Sequence, residues 1–233
     1  MITITLDAPN KNALSTAHMR SILEQLDRAN GAPVMFIGAS HTFCAGLDLN
    51  EVASRQGDDM FAFLELLERC MTSIYLYPGP TVACVNGHAI AGGCVLALCC
   101  DHRVAVDVPE VRIGLNEVAL GVRFPPRVLA IVRRRVIALD RVVLGAGLSD
   151  PHTARRLGLV DEIVPDVEAA ARARLTTLGR HPAEAYAITK RDLRGTADDL
   201  CPESEHAGRL RAMVPQWTAP VVRERVAAVL RKR

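Results

Sequence analysis

A chain of 233 residues, 49% apolar and 23% charged, is long enough to bury one sizeable core and has the balance of a globular protein rather than of a disordered one. A formal charge of +2, with aromatic residues at only 4%, argues against a nucleic-acid partner, and no apolar run approaches the ~20 residues that span a bilayer. The seven cysteines (Cys44, Cys70, Cys84, Cys94, Cys99, Cys100 and Cys201) are odd in number and largely set in apolar segments. Without a Cys-x-x-Cys pair or a His–Cys spacing they read as buried, reduced thiols, not as a disulfide frame or a metal site.

Ile2–Leu6 alternates polar with apolar and carries no basic leader, so it reads as a strand and not as a signal peptide, which places the protein in the cytoplasm. Ser15 to Arg28 has helical spacing, with Met19, Ile22, Leu23 and Leu26 on one face. Val34–Ile37 is an apolar run of the kind a strand buried on both faces shows. Asp58 and Asp59 are positioned to cap a long helix through Met60, Leu64, Leu67, Met71 and Ile74. Thr81–Val85 reads as another buried strand, Gly92-Gly93 opens an apolar helix from Cys94 to Cys100, and His102–Val106 and Val111–Ile113 read as two short strands.

Beyond Val122 the spacing turns helical, in segments near 125–137, 151–157, 166–179, 182–193, 203–213 and 219–230, each with a proline at or near its start or a cap before it. One last strand is expected at Val160–Val164. The fold class is therefore α/β, with a core over residues 1–165 and a helical region over 166–233. Arg133-Arg134-Arg135 reads as a solvated helix face and Arg231-Lys232-Arg233 as a basic tail, with contacts to the phosphates of a nucleotide-like ligand as the other reading.

Three segments carry chemistry. Phe43-Cys44-Ala45-Gly46-Leu47-Asp48-Leu49 follows the Val34–Ile37 strand, and Asn86-Gly87-His88-Ala89-Ile90-Ala91-Gly92-Gly93 follows Thr81–Val85. Glycine lets a backbone approach a ligand closely, and free N–H groups at a helix start favour negative charge, so two such turns suit an oxyanion; glycine turns after strands are also often only turns. In the third segment, Ile113-Gly114-Leu115-Asn116-Glu117-Val118, Glu117 stands among apolar residues. It is either solvated at the surface, the commoner case for a glutamate, or pocketed with a raised pKa as a proton shuttle needs.

These three segments, in this order, together with Thr5-Leu6-Asp7-Ala8-Pro9, Asn12-Ala13-Leu14-Ser15 and the Cys100-Asp101 pair ahead of a strand, resemble the crotonase (enoyl-CoA hydratase/isomerase) family over nearly the whole chain. The resemblance implies a spiral of ββα units with a C-terminal helical region that packs subunits into homotrimers or dimers of trimers. It implies an acyl-CoA thioester as substrate, with coenzyme A part of that substrate and no separate cofactor or metal. The N–H groups of Ala45 and Gly92 would hold the thioester oxygen, and Ala45, Gly46, Leu47, Asp48 and Leu49 would line the path of coenzyme A. Relative to the family pattern the chain starts about one strand early.

Two positions divide the family's chemistries. Hydratases resemble one another in a pair of glutamates; here the first position is Val95 and only the second, Glu117, is a carboxylate. One carboxylate suits a Δ3-to-Δ2 enoyl-CoA double-bond isomerisation, with Val95, Phe124 and Asn116 beside the acyl group. An enoyl-CoA hydratase or another lyase, with a second acid drawn from the Glu51–Glu68 stretch, is the alternative, and a non-catalytic acyl-CoA-binding protein is another.

Overall fold

The computed structural model describes residues 1–231; Lys232 and Arg233 of the basic tail lie outside the described residues. The elements are β1 (Ile2–Leu6), α1 (Pro9–Asn12), α2 (Thr16–Ala29), β2 (Val34–Gly38), β3 (Thr42–Cys44), α3 (Leu49–Ser54), α4 (Gly57–Tyr75), β4 (Thr81–Val85), β5 (His88–Ile90), α5 (Gly92–Cys99), β6 (His102–Val106), β7 (Ile113–Gly114) and α6 (Glu117–Leu120). There follow α7 (Pro126–Arg135), α8 (Leu139–Val143), α9 (Pro151–Leu157), β8 (Glu162–Val164), α10 (Val167–Leu178), α11 (Ala183–Arg194), α12 (Ala197–Leu200), α13 (Glu203–Arg211), α14 (Val214–Trp217) and α15 (Pro220–Leu230).

All strand pairs are parallel. A five-stranded sheet runs β1-β2-β4-β6-β8 and a three-stranded sheet runs β3-β5-β7. Parallel strands need helical crossovers that cover both faces, which is why β4 is buried at every residue and reads as a continuous apolar run. The faces sort by alternation. Val34, Phe36, Ala83 and Val85 point into the main core with α2, α4 and α5, whereas Met35, Val82, Cys84 and Val104 meet Val167, Ala171 and Leu175 of α10. α10 therefore belongs to the sheet as its second covering layer.

Three expectations are adjusted. Asp58 and Asp59 lie inside the first turn of α4, where their charge complements the helix dipole; the N-cap residue is Gln56, without a side-chain bond. Ser15 does cap α2, accepting the N–H of His18 at 3.1 Å. The last strand of the small sheet is Ile113–Gly114, shifted toward the C-terminus of the expected Val111–Ile113. All seven thiols are free and buried, as their apolar surroundings implied.

Candidate active site

The small sheet explains why three segments distant in sequence meet. β3, β5 and β7 run parallel, with Cys44 beside Ala89 and Ala89 beside Ile113, so their C-terminal ends share one edge. From that edge emerge Ala45–Leu47 after β3, Ala91–Gly92 after β5 and Asn116–Glu117 after β7. Ligand sites in α/β proteins form outside the carboxyl ends of parallel strands, and a cavity of about 250 Å³ opens here.

The expected oxyanion donors need one correction. The N–H of Ala45 is already spent on the carbonyl oxygen of Lys11, at 3.1 Å. The Asn10–Asn12 stretch runs with three successive positive φ angles, and Asn12 ties it down by donating to the carbonyls of Ala39 and Thr42 at 3.0 and 2.7 Å. That segment then pairs with the turn after β3. Leu14 donates to the Gly46 carbonyl at 2.8 Å, and Asp48 donates to the Leu14 carbonyl at 3.2 Å. A parallel bridge of this kind uses the groups flanking Leu47 and leaves its own N–H without an acceptor among the described residues.

That free N–H sits beside Gly92. A Cβ built on Gly92 would stand 3.7 Å from the Leu47 nitrogen, and one built on Gly46 would stand 3.4 Å from the Gly92 nitrogen and 2.9 Å from the Ile90 carbonyl oxygen. Gly46 also has φ +90°, so both its conformation and its surroundings require glycine. Gly92 is the first residue of α5, where an N–H has no intrahelical partner. Ala91 before it holds φ 50° and ψ −122°, a costly conformation for a residue with a Cβ, fixed by its N–H to the Gly114 carbonyl at 2.8 Å. Leu47 and Gly92 thus bring two unspent N–H groups close together at this edge.

Glu117 begins α6 and is 8% exposed. It is pocketed, not solvated. Burial among apolar side chains disfavours the carboxylate and pushes its pKa up to about 8, and Oε2 is buried without a partner. The neighbouring Asn116 Oδ1 is likewise buried and unpartnered.

Of the residues expected from sequence, Ala45, Leu47, Leu49, Gly92, Val95, Asn116 and Glu117 line the cavity. Gly46 stands behind it in the turn. Asp48 is structural: it accepts from the Asn50 N–H at 2.8 Å, capping α3, and from the Asn10 amide at 3.1 Å. No second acid reaches the cavity from the described Glu51–Glu68 stretch. Glu51 is bound to Thr16 and Arg55, and Glu68 is wholly buried between His206, at 2.5 Å, and the Arg127 N–H, at 2.6 Å.

Sequence reasoning missed the rest of the wall. Leu67 and Met71 of α4 and Pro125 and Val128 around the start of α7 line it, and so do Trp217 of α14 and Val226 of α15. The sole tryptophan was a signal: its Nε1 donates to the Arg123 carbonyl at 3.1 Å and so fixes the loop before Phe124. The helical C-terminal region therefore completes the cavity of its own chain.

The family model described as enoyl-CoA hydratase/isomerase matches residues 1–213. A protein of Rhodobacter capsulatus named "Probable enoyl-CoA hydratase" is 33% identical over 244 residues, covering 100% of this chain and 92% of that protein. The mitochondrial enoyl-CoA delta isomerase 1 of Mus musculus is 35% identical over 171 residues, 70% of this chain and 58% of the mouse protein's length. The crystal structure of human mitochondrial delta3-delta2-enoyl-CoA isomerase matches in fold with a TM-score of 0.92 at 24% identity, over 99% of this chain and 93% of that one.

Proposed function

The chain belongs to the enoyl-CoA hydratase/isomerase family, and from that premise we propose that it moves the double bond of a 3-enoyl-CoA thioester to the 2 position, with Glu117 carrying the proton. One observation supports this over hydration: among the described residues that line the cavity, Glu117 is the single titratable side chain. Val95 occupies the place where a second carboxylate would stand, and it is 1% exposed in an apolar wall.

In this reading the thioester oxygen is held between the N–H groups of Leu47 and Gly92. The carboxylate of Glu117 takes a proton from C2. The electron pair of that C–H bond becomes the C1=C2 double bond of a dienolate, conjugated with the C3=C4 bond already present, and the carbonyl π pair moves onto the oxygen, where negative charge collects. Preorganised N–H donors in a dry site stabilise such charge strongly, each typically by ~3–4 kcal/mol. Glu117, now a carboxylic acid, returns the proton to C4, and the C2=C3 product forms with no atom gained or lost. A carboxyl poised near pH 8 suits the task, since it must exist in both forms during one turnover. Water entering near C3 would find no second base.

The same proposal includes self-association into trimers or paired trimers. Ile137, Leu144 and Leu193 are 82%, 69% and 81% exposed and are available to be covered by neighbouring subunits. Sedimentation giving a stable monomer at micromolar concentration would remove this part. For the reaction itself, the protein is incubated separately with 3-enoyl-CoA and 2-enoyl-CoA and the products are identified. Conjugated 2-enoyl-CoA should form from the first, and the second should be left nearly unhydrated. Efficient conversion of the second to a 3-hydroxyacyl thioester would replace isomerisation with hydration as the activity.

A further inference from the structure

The helix that offers Gly92 to the substrate is bonded very differently at its two ends. At the N-terminus of α5 the Gly92 N–H has no acceptor among the described residues. At the C-terminus the carbonyls that an eight-residue helix leaves orphaned are met, those of Leu96 and Ala97 by the Cys100 thiol and N–H and those of Leu98 and Cys99 by two guanidinium groups. Arg135, the last residue of α7, donates from Nε to the Leu98 carbonyl at 3.0 Å and from Nη2 to the Cys100 carbonyl at 2.8 Å. Arg194, the last residue of α11, donates from Nη1 to the Cys99 carbonyl at 3.1 Å and also reaches the Tyr75 carbonyl.

The Arg194 guanidinium is itself held. Arg194 lies over the Tyr75 ring at 4.4 Å and pairs with Asp101 at 2.6 Å. Asp101 in turn accepts from Lys190 and Tyr186, each at 2.9 Å, and from the Thr81 N–H at 2.7 Å. The end of α5 is thereby keyed to β4 of the large sheet and to α11. Cations at a helix C-terminus also complement its dipole. At the other end, no charged side chain among the described residues bonds the helix; the Ala91 N–H bond to Gly114 and the close seat of Gly93 on the Cys44 carbonyl, where an added Cβ would stand 2.1 Å from the oxygen, help to fix it.

We propose that Arg135 and Arg194 are positioning residues for the oxyanion site, setting the axial position of α5 and so the distance from the Gly92 N–H to the thioester oxygen. This rests on the reading of Leu47 and Gly92 as the donors. Neither arginine lines the cavity, and they act on the substrate only through the helix between. A donor displaced by a fraction of an ångström loses much of its hold on developing charge, while binding of the long substrate is carried by many other contacts.

Arg135 is the cleaner test, since its bonds go to carbonyls alone and its removal strands no carboxylate. Arg135→Met keeps the stem and deletes the donors, and Arg135→Lys restores one. Arg172→Met is the control: Arg172 bonds Glu168 within α10 and neither α5 nor the two arginines. Each protein is assayed with 3-enoyl-CoA, and the carbonyl stretch of a bound ¹³C-labelled saturated acyl-CoA is recorded by infrared difference spectroscopy. Arg135→Met should keep KM near wild type, lose roughly 10- to 100-fold in kcat, and return the carbonyl stretch toward its value in water. Arg135→Lys should fall between, and Arg172→Met should match wild type.

Wild-type kcat and carbonyl frequency in Arg135→Met would overturn the proposal, as would an equal loss in Arg172→Met. Should Arg135→Met fail to fold, the lysine variant decides: a frequency equal to wild type overturns the proposal, and a partial return supports it. A wild-type protein that leaves the carbonyl stretch unshifted on binding would sink the oxyanion reading itself, an outcome distinct from those of the variants.

Discussion

The Leu47 nitrogen lies 3.7 Å from where a Cβ on Gly92 would be, so two peptide N–H groups from different strand ends border one small space. Gly46 makes that approach feasible, at φ +90° and with the Ile90 carbonyl only 2.9 Å from its own absent Cβ. Gly46→Ala should therefore cost about 1–3 kcal/mol of stability and depress kcat at least ~10-fold by moving the donor. Thermal melts and initial rates on 3-enoyl-CoA read the two effects. Unchanged turnover would show that the turn after β3 plays no part in holding the oxygen.

Glu117→Gln keeps the shape of the side chain and removes the transferable proton. Turnover of 3-enoyl-CoA should fall by at least ~10²-fold, with acyl-CoA affinity nearly intact, because the loss is confined to the transition state. Isomerisation at the wild-type rate would reduce Glu117 to a structural carboxyl.

The pH dependence follows from the same group. Taking a proton from C2 requires the carboxylate, and the carboxyl is held protonated up to about pH 8 in the free cavity. On the acid side, kcat/KM should fall about tenfold for each pH unit below that value and level above it. A plateau extending down to pH 5 would mean that the base is some other group.

Stability should respond in the opposite sense. The unfolded chain ionises Glu117 near pH 4.5 while the folded chain keeps the proton to about 8, so between those values the unfolded state binds fewer protons. The contribution of Glu117 to stability is fully present below pH 4.5 and is lost progressively as pH rises toward 8, reaching a deficit of roughly 3 kcal/mol at pH 7. Glu117→Gln has no such loss. Its melting temperature should match wild type at pH 4 and exceed it at pH 8; equal values at both would show a carboxyl exposed to water.

Glu68 tests the absence of a second acid. It is wholly buried and bound to His206 and the Arg127 N–H, so Glu68→Gln should leave both isomerisation and the near absence of hydration unchanged. His206→Ala strands a buried carboxyl and should cost ~3–5 kcal/mol. Loss of activity in Glu68→Gln with an unchanged melting temperature would place a second proton carrier in α4.

The parallel core was legible because strands buried on both faces write continuous apolar runs, as β2 and β4 do, and because Met19, Ile22 and Leu26 recur on the buried face of α2. The small sheet was not. Thr42–Cys44 and Ile113–Gly114 are three and two residues long, too short to show a period. The glycine segments themselves stood out, but which peptide N–H stays free was decided by a pairing between Leu14 and Leu47, 33 positions apart in number, which local pattern cannot show. Glu117 was ambiguous for a related reason: its pocket is closed by Trp217 and Val226, from helices about a hundred residues later.

The buried thiols have a practical side. Burial pushes Cys44, Cys70, Cys84 and Cys100 up to about 12, so at neutral pH almost no thiolate is present and no sulfur is open to a reagent. Native protein should therefore stay silent toward maleimides and disulfide reagents, and seven equivalents should react once it opens. A single cysteine introduced on the surface, for instance at Arg172 of α10, can then carry a fluorophore without first removing the natural ones, and the slow appearance of the rest becomes a clock for global unfolding.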